Sequence, residues 1–509
     1  MSTHTPEPAP PATLPPESPG AGDGSGFQWP AERRQFPEPA TRQLEPRNWQ
    51  DWFRITFVTA GVLAAITVHV IPAPDGLSAA GKSALAVFLL CTTLWVTNAL
   101  PVGITGLLAI AMLGLTNAMP ANEAFAAFGS SAVFFILGVF ILAAALIRSG
   151  LSKRIALAFL SRFGSSPYQL ATGMMLTSAL LTVFMPAQAT VAMLFPIAFE
   201  LARAMRIRPG DSAYGKVLFL SLAWGAMVGS NASFLGSTRA PLALGMLNNT
   251  HGLTITFGEW LLAAAPFVIL GVMVVPLLLR LSFRSEAIDA TEARAALHQA
   301  VEELGPIGAL QVKVAVIMLI TIAGWVFLGG RSLDFGVIAL LSAGAMFIAG
   351  VLKWEDLEGY IHWNVILMYG GAIALGVAID RSSAAGWLAA SAIGDVHVPP
   401  YIAIVGIALC TLLLSEFMSN AAAVAVMLPI GFSLAQQFGV SPTALVFAAS
   451  IGGGCAFTLP ISSAPNTIAF ASGYLRMTDF VRVGTMMTLI SILILLLVAR
   501  FWWPLIGVL

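Results

Sequence analysis

Long apolar runs separated by short polar clusters recur along this chain from residue 51 to its end. "ITFVTAGVLAAITVHVI" (55–71), "AVFFILGVFILAAALI" (132–147) and "MMTLISILILLLVARFWW" (486–503) are close to the roughly 20 apolar residues a helix needs to span a bilayer. The pattern predicts spans near 54–72, 83–100, 102–119, 131–149, 214–250, 257–281, 310–329, 332–351, 363–380, 440–473 and 478–508, with helical hairpins at 168–204 and 399–437. Two of these spans are too long to cross straight through. Each holds a break rich in glycine, serine and proline: "GSNASFLGSTRAP" (229–241) and "GGGCAFTLPISSAPN" (452–466).

The hairpins contain a repeat. "LLTVFMPAQATVAMLFPIAFELA" (180–202) and "LLSEFMSNAAAVAVMLPIGFSLA" (413–435) align without gaps and agree at 12 of 23 positions. The match fails at the centre, where Pro186-Ala187-Gln188 faces Ser419-Asn420-Ala421. The breaks align as well, pairing Leu235 with Leu459, Ala240 with Ala464 and Pro241 with Pro465, and setting Arg239 opposite Ser463.

The basic residues set the orientation. With the amino terminus inside, 20 of the 25 lysines and arginines fall on the cytoplasmic face, and only Lys82, Arg331, Arg381 and Arg500 fall outside. This is a strong positive-inside bias. Arg239, inside the first break, belongs to neither set. Basic residues flank the first hairpin on both sides, whereas residues 382–475, which contain the second, hold no lysine or arginine. The two copies are thus expected to enter from opposite faces, as in the inverted repeats of secondary transporters. The expected fold is an all-α polytopic membrane protein with about 11 transmembrane helices and two re-entrant hairpins in an inverted-topology repeat.

Composition agrees with that reading. Hydrophobic residues make up 58% of the 509 and charged residues 10%, with a mean hydropathy of +0.85. So few charges cannot cover a soluble protein of this length. Residues 1–50, "THTPEPAPPATLPPESPGAGDGSG" included, are too poor in apolar residues to build a core, and read as a disordered cytoplasmic tail. Beyond it come a first repeat with a leading helix (51–282), a cytoplasmic linker (283–309) and a second repeat (310–509). Cys91, Cys410 and Cys455 sit in apolar runs without paired spacing, so neither disulfides nor a metal site is expected. The six histidines lie away from the tips and breaks.

Hairpin tips and broken helices expose backbone at membrane depth, where the free N–H groups of a helix start suit an anion. Ser419 and Asn420, then Ser463 and Asn466, add short polar side chains that can bind an anion or ligate a cation. Arg239 brings a permanent cation whose planar fork matches carboxylate or sulfate. Placing it at mid-membrane costs about 2.5–3.5 kcal/mol on insertion scales, so it calls for an anion or an acidic partner such as Glu416.

"SEFMSNAAAVAVMLPI" (415–430) and "FTLPISSAPNTIAFASGYLRMTDFVRVG" (457–484) resemble the second Ser-Asn-Thr hairpin and the Thr-Pro-Pro-Asn break of the divalent anion:sodium symporters, carriers of dicarboxylates, citrate or sulfate. "LWVTNALPVGITGLLAI" (94–110) and "LSKRIALAFLSRFGSSP" (151–167) also fit, and the resemblance runs from about residue 50 to the end. It implies a homodimer in the cell membrane, a moving transport domain, and a small divalent anion bound with sodium between tips and breaks. Carried over, it assigns Ser419, Asn420, Ser463 and Asn466 to the site, with Ser419 and Asn420 as the sodium position. The chain departs from the family at Pro186, Ala187 and Ala421 and in Ser237-Thr238-Arg239-Ala240-Pro241. Pro186 and Ala187 offer no side-chain ligand, which argues against a sodium ion at the first half-site. Arg239 is expected to stand in for it, with Gln188 and Thr238 as further substrate contacts.

The function expected is elevator-like secondary transport of a dicarboxylate or sulfate, with sodium as the only candidate cofactor and no nucleic-acid partner. The principal rival is a proton-coupled or exchange permease of a related arsenite or organic-anion family, against which Ser419-Asn420 and Ser463 to Asn466 argue. A membrane enzyme requires a catalytic dyad within the spans, and no such motif is present. A channel suits mirrored hairpins less well than alternating access, and no G-x-x-x-x-G-K loop signals ATP-driven transport.

Overall fold

The computed structural model describes residues 49–508 except 164, 165, 211, 285, 287 and 394–398. Most of the tail expected over 1–50 therefore lies outside the described residues. Among those described, regular structure is helical apart from one isolated bridge between Gly329 and Leu333. Among the described residues, eight helices are long and apolar enough to cross a membrane. The chain is an all-helical, multi-pass membrane protein.

Two predicted spans form shorter helices, Val102–Leu115 and Phe335–Ile348, of 14 residues each. At 1.5 Å per residue each is about 21 Å long, short of a hydrocarbon core of about 30 Å. Each packs along a longer helix of the other repeat: Val102–Leu115 along Trp363–Arg381, and Phe335–Ile348 along Ser131–Arg148. The exchange is reciprocal, so the repeats interlock.

Eight helices frame the breaks and are numbered here α1 to α8. The first hairpin is α1 (Pro167–Leu181) and α2 (Ala187–Ala204); the first broken helix is α3 (Ala213–Gly229) and α4 (Arg239–His251). Their counterparts are α5 (Pro400–Phe417) and α6 (Asn420–Phe438), then α7 (Pro442–Gly452) and α8 (Ala464–Phe470). Pro196 lies inside α2 and Pro429 inside α6; each removes a helix hydrogen bond at a matching place.

Packing follows the repeat. Within each half the first hairpin arm lies on the first half-helix, α1 on α3 and α5 on α7. Between halves the second arm meets the other repeat's second half-helix, α2 with α8 and α6 with α4. The close α1–α3 crossing depends on glycine. A side chain on Gly225 would lie 2.4 Å from the Met175 carbonyl oxygen, and one on Gly229 2.5 Å from that of Ala179. Small residues four apart let backbones approach where van der Waals packing is the main attraction.

The start of α3 is fixed from the linker. The Glu286 carboxylate accepts from the Ala213 and Tyr214 amides at 2.6 and 3.3 Å and from the Ser212 hydroxyl at 2.7 Å, covering free donors of a helix N-terminus. Lys216, one turn on, pairs with Asp479 of the second repeat at 2.9 Å. The linker also contains a helix, Thr291–Glu302, that packs on α2 through the buried Ala293 and Leu297. Its apolar residues form only a narrow stripe, so the sequence carries no apolar run there.

Candidate functional site

The first tip closes on its own break. Pro186 precedes α2 and offers no side-chain cap. The Ala187 amide instead donates to the Gly236 carbonyl at 3.0 Å, and the Ser233 hydroxyl donates to the Val183 carbonyl at 2.7 Å. The amide that begins the second arm, the natural anion donor of this corner, is therefore engaged by protein. Gln188 is exposed and lines a cavity of about 390 Å³ with Pro186, Phe140, Ile147 and His362. It makes no hydrogen bond to Arg239 among the described residues. The next polar residue of α2, Thr190, is buried, and its Oγ1 has no protein partner.

Arg239 is 5% exposed at the first position of α4. Its Nε donates to the Ser450 carbonyl at 2.6 Å, and its Nη2 to Asn231 Oδ1 at 2.7 Å and to Ser230 Oγ at 3.2 Å. Those oxygens belong to the C-terminal ends of α3 and α7, where the helix dipoles leave partial negative charge. Asn231 is held in turn: its Nδ2 donates to the Met227 and Val228 carbonyls, and its own carbonyl accepts from Trp260 Nε1 at 3.0 Å. Opposite the guanidinium stands Gly454. A Cβ there would lie 2.2 Å from Nη2 and 2.9 Å from Asn231 Oδ1. Thr238, just before, is tied down through its carbonyl, which accepts from the Tyr369 hydroxyl.

No carboxylate pairs with Arg239 among the described residues. Glu416, the acidic partner considered from the sequence, is also buried, but its two oxygens accept from the Thr458 and Leu459 amides at 3.0 and 3.1 Å. It fixes the second tip to the second break. The Arg239 fork is satisfied on Nε and Nη2, while Nη1 has no protein acceptor among the described residues.

The second tip is a tight corner. Phe417 ends α5, and α6 begins at Asn420 after Ser419, which is exposed and makes no side-chain cap. Ser463 caps α8, its hydroxyl oxygen accepting from the Asn466 amide at 3.4 Å. Asn466 is fully buried; its Nδ2 donates to the Ala456 and Leu459 carbonyls and to Ser462 Oγ at 3.2 to 3.4 Å. Among the described residues of α5 to α8, four buried oxygens have no protein partner: Ser415 Oγ, Asn420 Oδ1, Ser450 Oγ and Asn466 Oδ1. A buried acceptor left alone costs about 1–3 kcal/mol, so each of these oxygens is suited to a hard cation or a polar ligand.

The structure thus joins Arg239 to Ser230, Asn231, Ser450 and Gly454, which the sequence did not single out. It places Ser415 on the same corner, since a Cβ on Gly453 would lie 3.3 Å from Ser415 Oγ. Arg239 makes no direct hydrogen bond to Ser419, Asn420, Ser463 or Asn466 among the described residues. Asn231 sits within the quoted break, and its position beside two other polar residues was the one available signal.

The sequence is 26% identical to the "Sodium-dependent dicarboxylate transporter SdcS" of Staphylococcus saprophyticus over 456 residues, covering 85% of this chain and 88% of the relative. The protein of that description from Staphylococcus aureus USA300 is 28% identical over 458 residues, with the same coverage. Among solved structures, Neisseria gonorrhoeae MtrF, described in a study of antimetabolite efflux pumps, superposes with a TM-score of 0.54 at 15% identity, covering 90% of this chain and 96% of that one. The Alcanivorax borkumensis YdaH transporter gives 0.50 at 14% identity, covering 90% and 98%; both likenesses concern the fold alone. The family description "Sodium:sulfate symporter transmembrane region" matches residues 51–509, and the chain belongs to that family, the divalent anion:sodium symporters.

Proposed function

We propose that this protein is a secondary active transporter of small dicarboxylates, working in the cell membrane with its amino terminus in the cytoplasm. The substrate class is that of the staphylococcal relatives. The observation that carries the reading is a buried cation, Arg239, held on the Ser450 carbonyl of the second broken helix and without a carboxylate partner among the described residues, in a chain whose α5 to α8 keep unpartnered buried oxygens on Ser415, Asn420, Ser450 and Asn466. One carboxylate of the substrate meets Arg239; Ser419, Asn420, Ser463 and Asn466 hold the other and a sodium ion. Thr238 contributes by positioning Arg239 through its tethered backbone.

Transport proceeds by alternating access, the two hairpins being inserted from opposite faces. Support comes from the mirrored packing of α1 to α4 and α5 to α8 and from the opposite flanking charges of the hairpins. The moving body comprises the hairpins and breaks. The helices Ala309–Phe327 and Phe335–Ile348 stay with the scaffold, and their exposed apolar residues, Leu319, Ile320, Leu341 and Ile348 among them, face lipid and a second copy of the chain.

The test is uptake of radiolabelled succinate by the purified protein in liposomes, with an imposed sodium gradient and sulfate as competitor. Saturable, gradient-driven succinate uptake is expected. Uptake of neither anion, by protein that remains folded, would overturn the reading.

A further inference from the structure

The two halves treat positive charge differently, and the difference bears on how the proposed transporter couples to sodium. A cation bound by neutral ligands at half-helix ends is a recurring device of broken-helix transporters. In this chain the ends of α3 and α7 already hold one: the guanidinium of Arg239, on the Ser450 carbonyl, Asn231 Oδ1 and Ser230 Oγ. The set is all oxygen, uncharged and buried, which is the ligand chemistry of an alkali cation. Three further observations agree. The first tip supplies no side-chain oxygen at Pro186 or Ala187, and its leading amide is bonded to Gly236. Gly454 leaves room for the guanidinium and for no Cβ. No carboxylate among the described residues neutralises the charge, so it remains available to an anion.

We infer that Arg239 is a built-in cation that does the work of one co-transported sodium ion, leaving sodium only the second half-site. The inference rests on the dicarboxylate reading above and deepens it. A dianion brought in with one charge already supplied by the chain needs one free cation fewer for the same neutralisation. Lysine at this position would keep the charge but lose the planar fork that reaches Ser450 and Asn231 together. Glutamine would keep polar atoms and remove the charge.

The experiment measures succinate uptake and succinate binding calorimetry against sodium concentration, with choline as replacement, for the wild type, R239K and R239Q. The wild type is expected to show a Hill slope for sodium of no more than one. R239K should bind succinate several-fold more weakly with the same slope. R239Q should lose binding by ten- to hundredfold, the range expected for losing hydrogen bonds to a charged group, with partial recovery and a steeper slope at high sodium. A wild-type slope of two or more with uptake intact would overturn the inference while leaving the transport reading in place. Succinate affinity and sodium slope unchanged in R239Q would overturn it equally. If R239Q does not fold, the wild-type slope and R239K decide. Absence of succinate binding in the wild type would remove the functional reading and this inference together.

Discussion

The first and second tips with their breaks repeat one another in sequence and end in opposite chemical states. In the second, the tip keeps Ser419 and Asn420, the break keeps Ser463 and Asn466, and a buried carboxylate, Glu416, clamps the two together through backbone amides. Its spare oxygens are left without protein partners. In the first, Pro186 and Ala187 stand where the second has Ser419 and Asn420, the clamp is a backbone contact between Ala187 and Gly236, and the polar centre is a cation with its oxygens already in place. One half offers ligands that lack a charge; the other offers a charge that has its ligands. The architecture therefore repeats the helix ends while the polar groups placed at them differ, a side-chain cation in one half and unpartnered oxygens in the other.

The most damaging way to break this contrast is Gly454→Ala. Its methyl would overlap Nη2 and expel the guanidinium from Asn231 and Ser450; loss of charge-assisted bonds worth about 1.5–3 kcal/mol predicts succinate uptake reduced on the order of a hundredfold. Retained uptake would mean that the placement of Arg239 is not what matters. Next comes Glu416→Gln. The neutral amide keeps the shape but replaces one acceptor with a donor facing the Thr458 or Leu459 amide, so the second tip should loosen from its break. Expected are uptake lower by about tenfold and faster labelling of a cysteine placed at Ala421; unchanged labelling would assign the clamp no role.

Single removals of spare oxygens sharpen the comparison. Asn420→Ala and Asn466→Ala should each weaken sodium-dependent binding by about 1 kcal/mol, roughly fivefold, without changing R239Q-type defects; calorimetry at fixed succinate reads this directly. An Asn466→Ala protein that instead unfolds would show that the Nδ2 bonds to the break are its main contribution, and thermal melting separates the cases. The smallest effect is expected from Gln188→Ala, less than twofold on succinate affinity, because that side chain faces the cavity beside Phe140 and His362. A large loss would bring Gln188 back into the binding set and require the first tip to open during the cycle.

Much of this was legible in the sequence, and the gaps follow a rule. Periodic segments betrayed themselves: the hairpin arms, the repeated proline and the breaks could be read from apolar runs and twelve shared positions. The isolation of Arg239 could be read from charge asymmetry alone. Its partners could not, because Ser450 lies 211 residues away in an unremarkable helix and acts through its carbonyl, which any residue would supply. Gly454 looked like one of three glycines in a row; only the approach of Nη2 distinguishes it. The tip triplet marks Gln188 as a candidate by position alone. One residue into a helix, however, successive side chains turn by about 100°, and the buried direction falls to Thr190. The linker helix leaves no such signal, since it covers α2 with a narrow stripe rather than an apolar run.

Arg239 is joined to the chain by covalent bonds, and in the proposed cycle that sets a direction of economy. A dissolved ion departs with its cargo, so an emptied carrier returns without it. A guanidinium makes every crossing, loaded or not. With a carboxylate seated against it, the travelling body is nearer to neutral; emptied, the same body carries a full unit of charge, and the membrane potential acts on each unit with about 2.3 kcal/mol per 100 mV. The burdened leg is the empty one. A carrier built in this way is biased toward trading one anion for another across the membrane, and toward a strong dependence of net uptake on voltage.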